Sequence, residues 1–471
     1  MAFDSVAYAL FLPVVFCIYW MLHNRLCWQN TFLILASYIF YGWWDWRFLF
    51  LIIFTTLCSY YTAIIIEKQQ ALGHRRKAWI ASAFNIVANL MILGTFKYLD
   101  FFIDGLTRLL STFGWEVSWP LLHIILPVGI SFYTFQAFSY TIDVYRGKIQ
   151  AERNLLPFAA YICFFPQLVA GPIERASNLL PQMKQARTFS YPQAVEGGRL
   201  ILWGLFKKMI VADNCAVIAG FIFHDYQRLG TLSLLYGAFI FSFQIYADFS
   251  GYSDIAIGTA RLFGIRLSRN FNNPYLAASI PEFWRRWHIT LTTWFRDYVY
   301  FPLGGSRCSN ILNLRNTIVV FLLCGLWHGA GWPWLAWGLY HGLLFIPYCM
   351  HWIRRPKNGE VVIANTLRSR LMQGVKIAFT FLLVSLGRVL YHTGNLVDSL
   401  CYIKRIFCTM DFSIPVYSKS ILLFVAFMLW AEWRDCRLPQ QRWARWLIYY
   451  ILLFTIFIKG TAGSQFMYFQ F

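Results

Sequence analysis

The sequence predicts an all-α, polytopic integral membrane protein with about ten to twelve transmembrane helices, since its apolar runs approach the length that spans a bilayer. Hydrophobic residues make up 58% of the 471 residues and charged residues only 13%, about half the usual share in soluble proteins. Aromatic residues reach 20%, as expected where rings lie at bilayer interfaces and between helices. A soluble globular protein could not bury this much apolar surface.

The predicted spans follow the chain in order. Candidates are 5–22, 31–44, 48–66, 79–99, 121–142, 200–222, 232–258, 317–333, 334–352, 371–391, 419–433 and 446–459. Residues 5–22 are expected to be a retained span rather than a signal peptide, because Asp4 precedes them and no basic segment does. Residues 155–172 contain Pro157 and Pro166 and predict a broken or re-entrant segment buried in protein.

The formal net charge of +20 is attributed to cytoplasmic loops, which collect Lys and Arg, and not to a nucleic-acid partner. Basic clusters occupy 68–77, 146–153, 261–316, 354–370 and 434–445. All of them fall on the cytoplasmic side if the N-terminus is extracytoplasmic and 155–172 enters and returns. The 11 Cys residues form no CxxC pair and predict neither a zinc site nor a disulfide framework.

The chain is predicted to form a single transmembrane domain over 1–471. Its sections are the N-terminal spans in 5–120, a core in 121–352 that includes the cytoplasmic loop 261–316, and the C-terminal spans in 371–471. No inverted repeat is evident, which disfavours a secondary transporter.

Residues 279–305, SIPEFWRRWHITLTTWFRDYVYFPLGG, predict one amphipathic helix in the cytoplasmic interface. Ser279 and Glu282 form an S-x-x-E capping box. Seven apolar residues share one helical face: Phe283, Trp284, Trp287, Leu291, Trp294, Phe295 and Tyr298.

His288 lies at the edge of that apolar face, and its role is left open between a functional group and a histidine bonded to a neighbour or a lipid headgroup. Arg285, Arg286 and Arg296 lie away from the face. Guanidinium groups suit phosphate, so these arginines are candidates to bind either lipid phosphates or a phosphorylated cytosolic donor.

His328 lies near the middle of the apolar run TIVVFLLCGLWHGAGWPWLAWGL. A titratable group at membrane depth is a functional-site hypothesis, and burial favours a neutral imidazole that can act as a general base. Gly325, Gly329 and Gly331 would allow a substrate or another backbone to approach, and Pro333 should disturb the helix. The alternative is a histidine satisfied by a neighbouring helix, the role also expected of His341.

Other chemistries lack their signatures. The sequence contains no metal-ligand spacing, no G-x-S-x-G nucleophile elbow and no HxxxxD pattern. Four acidic residues in apolar surroundings are expected to form structural pairs: Asp213, Asp248, Asp254 and Glu174. For Asp248 and Asp254, the expected partners are arginines of the cytoplasmic loop.

Several motifs together resemble the membrane-bound O-acyltransferase family, most closely its alginate O-acetyltransferase and D-alanyl transfer branch. They are LASYIFYGWW (35–44), LPVGISFYTFQAFSYTIDVYRG (126–147), YICFFPQLVAGPI (161–173), YADFSGYSDIAIGTARLFGI (246–265), RNFNNPY (269–275), WRRWHITLTTWFRDYVYFPLGG (284–305), GLWHGAGWPWLAWGLYHG (325–342) and QFMYFQF (465–471). The two histidine motifs, in this order, are the most specific.

The resemblance implies a ring of helices around a tunnel in the bacterial cytoplasmic (inner) membrane. It implies that His328 is the principal catalytic histidine and His288 the second, on the cytoplasmic side. No cofactor is expected to be bound; acetyl-CoA or a carrier charged from it would donate the acyl group from the cytoplasm. The acceptor would be an extracytoplasmic polysaccharide, reached with a secreted SGNH-type partner.

Alternatives remain within and outside the enzyme class. The same chemistry could transfer D-alanyl groups to teichoic acid or acetyl groups to peptidoglycan. A transporter of polysaccharide or lipid-linked sugar would also use many spans and a buried histidine, and a catalytically silent assembly scaffold is a further possibility. The sequence does not identify the polymer or the oligomeric state.

Overall fold

The computed structural model of the protein describes residues 1–115, 119–122, 124–353, 366–392, 394–409, 411, 420–434 and 441–460. Every regular element in these residues is a helix, and they contain no strand, which confirms the all-α prediction. The motif at 465–471 and parts of the basic clusters 354–370 and 434–445 lie outside the described residues.

The chain packs as two compact units, of which the first comprises Met1–Ile201 and Ile255–Ser268. Its helices are Val6–Met21, Leu26–Gly42, Leu49–Ala71, Arg75–Leu93, Leu99–Thr112, Ile130–Tyr145, Leu155–Cys163, Phe165–Leu168, Ala176–Lys184 and most of Tyr191–Leu205. Buried tyrosines of the first helix join it to the later segment: Tyr19 donates to the Phe263 carbonyl over 2.9 Å, and Tyr8 bonds Thr259 over 2.6 Å.

The second unit comprises Leu202–Asp254 and Arg269–Phe471. Its helices are Asp213–His224, Thr231–Leu262 (which extends into the first unit), Ile280–Arg286, Ile289–Phe295, Asn310–His328, Trp332–Leu343, Ile346–Cys349, Leu367–His392, Leu396–Cys408, Ser420–Trp433 and Arg442–Lys459. Two π-helical stretches, Phe206–Ala212 and Arg296–Tyr300, belong to the same unit. It contains both histidines singled out in the sequence.

Five described helices are long and apolar enough to cross a membrane: Trp46–Ala71, Arg75–Thr112, Thr231–Leu262, Asn310–His328 and Leu367–His392. Each overlaps a predicted span. Val6–Met21 and Ser420–Trp433 are shorter apolar helices. The membrane character of the chain is therefore confirmed, while the total of ten to twelve spans stays a prediction.

The predicted break in 155–172 is present. Leu155–Cys163 ends before the short helix Phe165–Leu168, which carries Pro166 in its first turn. Residues 160–174 are all buried, as non-helical backbone at membrane depth requires. Glu174 ends the segment and accepts hydrogen bonds from Asn178 Nδ2 at 2.6 Å and Ser268 Oγ at 3.1 Å. Its role is structural, and burial raises the pKa of its carboxyl group.

Asp248 and Asp254 form structural ion pairs as expected, but their partners are two buried lysines and not arginines of the loop; Arg269 of the loop is only a further, weaker charge acting on Asp254. Lys207 Nζ lies 2.8 Å from Asp254 and 2.9 Å from Glu432. Lys208 Nζ lies 3.0 Å from Asp248 and 2.9 Å from Asp213. A buried charge is stable only when paired, so these ion pairs hold the π-helical stretch Phe206–Ala212 against Thr231–Leu262 and Ser420–Trp433.

Candidate active site

A cavity in the second unit contains His328. Its volume of about 30 Å³ accommodates about two water molecules. Trp284, Trp287, Trp334, Trp337 and Tyr391 provide most of its aromatic wall. Besides the hydroxyl and indole N–H groups of these rings, the polar residues at the wall are His328, His341 and Arg388, and no acidic side chain of the described residues lines it.

His328 is the last residue of the helix Asn310–His328. His328 lies near the middle of the apolar run 317–339, and the structure adds that the helix ends at this residue. The chain is extended at Gly329, and a new helix starts at Trp332 with Pro333 in its first turn. Pro333 interrupts helical structure as predicted, because its ring cannot continue the preceding hydrogen-bond ladder.

Aromatic rings surround the His328 side chain, which is 8% exposed. The ring centre of Trp337 lies 5.2 Å away at 88°, that of Trp334 lies 5.8 Å away at 19°, and that of Trp327 lies 4.8 Å away. The His328 imidazole is therefore enclosed by three indole rings.

The predicted close approach occurs at Gly325 and Gly329 but not at Gly331, where an added Cβ atom would meet nothing closer than 3.5 Å; the approaching groups belong to the protein. A Cβ atom on Gly325 would lie 2.3 Å from the Trp334 carbonyl oxygen, and one on Gly329 would lie 2.0 Å from Trp334 Nε1. On the facing helix, a Cβ atom on Gly338 would lie 2.4 Å from the Phe321 carbonyl oxygen. The helices on either side of His328 therefore pack with their backbones nearly in contact, which fixes the position of the histidine.

The prediction of one interfacial helix over 279–305 was wrong. Ile280–Arg286 and Ile289–Phe295 are separate helices, since Trp287 is extended and His288 adopts the left-handed conformation with φ 42°. The segment containing Asn270 competes for the backbone at the break: Ile289 N–H donates to the Asn270 carbonyl over 2.8 Å, and Asn272 N–H donates to the Arg286 carbonyl over 2.9 Å.

The predicted apolar face survives the break but is covered by protein. All seven of its aromatic and aliphatic side chains are buried, none more than 8% exposed. The Ser279 half of the predicted capping box is present, because Ser279 Oγ accepts from Glu282 N–H over 3.3 Å. The Glu282 carboxylate accepts from Ala278 N–H over 2.9 Å, one residue before the N–H group that a capping box pairs with it. The segment therefore belongs to the protein core.

His288 is 1% exposed and caps the second short helix, because its Nδ1 accepts a hydrogen bond from Leu291 N–H over 3.3 Å. Burial lowers its pKa to about 3, so the imidazole is neutral. With Nδ1 accepting, the ring proton resides on Nε2. The hydrogen bond to a neighbour that the sequence analysis allowed for His288 is therefore present, and the Nε2–H group of the ring is a hydrogen-bond donor.

His288 does not line the cavity around His328. Trp327 is near both histidines, with its ring centre 5.8 Å from that of His288 and 4.8 Å from that of His328. The structure thus brings both predicted histidines next to the same tryptophan.

The three candidate phosphate-binding arginines lie outside the cavity wall. Arg286 pairs with Glu282 at 2.6 Å, and Arg296 pairs with Asp297 at 2.8 Å. Arg285 and Arg296 are exposed and Arg286 is half-buried. That these arginines bind the phosphates of a cytosolic acyl donor stays a prediction. Arg285 and Arg296 are more accessible to such a donor than Arg286.

Sequence reasoning missed Arg388 of the cavity wall, although it lies in the apolar run 371–391, where Lys376 is the one other charged residue and an ionisable residue signals a function. His341 was expected to pack between helices; it does contact the helix of Gly387, where an added Cβ atom would lie 3.1 Å from its Nε2, and it also lines the cavity.

Comparisons with known proteins agree on one family. Residues 151–384 match the model of the membrane-bound O-acyltransferase family. A Pseudomonas aeruginosa protein named "Probable alginate O-acetylase" is 40% identical, over 84% of this chain and 73% of its own length. A Helicobacter pylori peptidoglycan O-acetyltransferase is 31% identical over 98% of this chain and 95% of its own. A Bacillus subtilis teichoic acid D-alanyltransferase is 31% identical over 49% of this chain and 60% of its own length.

Proposed function

The chain belongs to the membrane-bound O-acyltransferase family and is a membrane acyltransferase, and we propose that it transfers acetyl groups from a cytoplasmic thioester to hydroxyls of an extracytoplasmic polysaccharide. The observation that carries this proposal is His328, an imidazole in an aromatic cavity whose described wall contains no acidic side chain. Such an imidazole is suited to take a proton from a hydroxyl group.

In the proposed reaction, His328 removes the proton of an incoming hydroxyl as its oxygen attacks the carbonyl carbon of the thioester. The new C–O bond forms, the C–S bond breaks, and the thiolate leaves. A positioned base contributes roughly 10²–10⁴-fold to such a step. The donor is acetyl-CoA or a carrier charged from it, entering from the cytoplasm.

His288 acts on the thioester rather than on the hydroxyl. Its Nδ1 is engaged with Leu291 N–H, so the group it offers is the Nε2 proton, which can hold a carbonyl or sulfur atom in position. A thiol has a pKa of ~8.5 and departs without full protonation near neutral pH, which favours positioning over acid catalysis.

Acetyl transfer is favoured over D-alanyl transfer by how much of the chain each comparison covers. The alginate and peptidoglycan O-acetyltransferases align with 84% and 98% of the chain, whereas the D-alanyltransferase aligns with 49%. The first two act, by their names, on different polymers, so the acceptor here is a polysaccharide of one of these kinds. A secreted SGNH-type partner would complete the transfer outside the cytoplasmic membrane, with the N-terminus on the extracytoplasmic side.

The test is a comparison of envelope polysaccharides by NMR from cells that carry the wild-type gene, no gene, or His328→Ala. We expect O-acetyl groups with the wild type and almost none with the other two, while the variant inserts into membranes normally. D-alanyl esters in place of acetyl groups would overturn the choice of acyl group. Normal acetylation by His328→Ala would overturn the proposed role of this histidine.

A further inference from the structure

Arg388 is a buried cation at the wall of the cavity. Its side chain is 3% exposed, and its guanidinium carbon lies 4.1 Å from the centre of the Trp287 ring. Nη1 donates to the Ser242 carbonyl over 2.9 Å and to Tyr275 Oη over 2.5 Å. Stacking and two hydrogen bonds thus fix the plane of the guanidinium.

Within the described residues, Arg388 forms no ion pair, and both hydrogen bonds that it donates come from Nη1, while the side chain lines the cavity. Arg187, in the other unit, shows what a structural buried arginine looks like. Its Nε, Nη1 and Nη2 donate to Gln182, Tyr19 and Asn30, respectively. Among the same described residues Arg187 also lacks an anion, but all three of its nitrogens are bonded within the protein, whereas Arg388 donates only from Nη1. Buried N–H groups need acceptors, and a guanidinium binds an anionic acceptor most strongly, so this difference indicates a negatively charged group that arrives during function.

The reaction proposed above, on which this inference rests, creates such a group. When the hydroxyl proton moves to His328, the imidazole becomes positive, and the attacked carbonyl oxygen becomes negative. Since no acidic side chain of the described residues lines the cavity, nothing else described there would offset an imidazolium beside the guanidinium. An oxyanion close to the His328 imidazolium and the Arg388 guanidinium would offset the positive charge that the proton transfer places on His328.

We propose that Arg388 is a catalytic residue that donates hydrogen bonds from Nε and Nη2 to the oxyanion formed on the thioester carbonyl. The π-electron pair of the C=O bond moves to this oxygen as the acceptor oxygen bonds to carbon. When the intermediate collapses, the C=O bond reforms and the C–S bond breaks. A prearranged donor of this kind stabilises the transition state without having to reorient.

The test uses membranes containing the full-length protein with radiolabelled acetyl-CoA as probe, and measures acetyl transfer to a neutral glycoside and to a uronic acid oligosaccharide. For Arg388→Gln we expect kcat to fall about 10²–10³-fold, the range seen on removing one oxyanion donor. The loss should be equal for both acceptors, with little change in KM. Arg370→Gln, an exposed arginine on the same helix, should match the wild type.

Arg388→Ala tests whether the guanidinium itself is needed, since added guanidinium ion should restore part of its activity. Arg388→Lys, which keeps the charge without the planar fork, should fall between wild type and Arg388→Gln. Thermal unfolding of each variant in detergent, measured alongside, separates misfolding from lost chemistry.

Three results would overturn the proposal. The first is a wild-type kcat in Arg388→Gln. The second is an effect of Arg388→Gln confined to KM for the uronic acid acceptor, which would make Arg388 a carboxylate-binding residue. The third is an Arg388→Ala protein that is destabilised and whose activity added guanidinium ion does not restore. His328→Ala in the same assay tests the underlying function separately. Activity of that variant would overturn the acyltransfer mechanism, whatever Arg388 does.

Discussion

The Nδ1 atom of His288 accepts a hydrogen bond from the backbone N–H of Leu291 over 3.3 Å. The backbone of His288 is left-handed, with φ 42°. His288 lies between the two short helices found in place of the single helix predicted over 279–305. His288 therefore has a local structural role as a helix cap, and its chemical role requires a variant that keeps the cap.

His288→Asn is that variant. Asparagine tolerates the left-handed conformation and is among the best helix caps, so we expect it to leave the unfolding temperature in detergent near that of the wild type. Acyl transfer should fall about 10²-fold because the hydrogen-bond donor at the position of Nε2 is lost. His288→Ala should lose the cap as well, at a cost of about 1 kcal/mol. Wild-type transfer by the Asn variant would show that His288 is only structural.

Mild acid should destabilise the protein through the same histidine. Burial lowers the pKa of His288 to about 3 from an ordinary 6.5, so below pH 6.5 the unfolded chain binds a proton that the folded chain does not. Its contribution to stability is complete above pH 6.5 and declines as the pH falls toward 3, by about 2 kcal/mol at pH 5. Thermal unfolding between pH 7 and pH 5 measures this loss, and a slope as steep in His288→Asn would contradict the assignment.

Gly329→Ala should abolish most acyl transfer without preventing membrane insertion. The new Cβ atom would lie 2.0 Å from Trp334 Nε1, so the indole and the adjoining His328 must move, at about 1–3 kcal/mol. Gly331→Ala is the matched control, because its Cβ atom would meet nothing closer than 3.5 Å. The measurement is polysaccharide acetylation per molecule of inserted protein. Equal activity in the two variants would show that the position of Trp334 does not matter.

Lys208→Met should reduce the stability of the protein by about 3–5 kcal/mol, since removing one member of a buried ion pair strands its partners. Asp213 and Asp248 both lose the ammonium group that lies within 3.0 Å of them. Arg108→Ala removes an exposed ion pair with Asp104 and should change stability by about 0.5 kcal/mol or less. The unfolding temperature and the yield in detergent are measured for both variants. Equal effects of Lys208→Met and Arg108→Ala would refute the structural role of the buried ion pairs of Lys208.

Much of the fold was predictable because it depends on local sequence. Each of the five long apolar helices overlaps a predicted span, since hydrophobic length alone selects a membrane helix. The break around Pro166 and the helix start at Pro333 were also predictable, because proline acts on its own turn. The cap formed by Ser279 and Glu282 follows from a four-residue pattern.

The partners of the buried charges were not predictable in the same way. Asp248 and Asp254 pair with Lys208 and Lys207, which are about forty residues away along the chain and not in the basic loop that the sequence favoured. Pairing of this kind depends on which helix faces pack together, and local periodicity does not contain that information.

By itself, the sequence determined that the chain is a helical membrane protein and which two histidine motifs connect it to its family, because hydrophobic length and short motifs are local properties. Only the tertiary structure decided that the helix of His288 is broken by the segment containing Asn270, that His328 ends its helix within an aromatic cavity, and that Arg388 joins it there. Those outcomes depend on contacts between segments far apart in the chain, where competing hydrogen bonds, backbone approach at glycine and the cost of a buried charge select one arrangement.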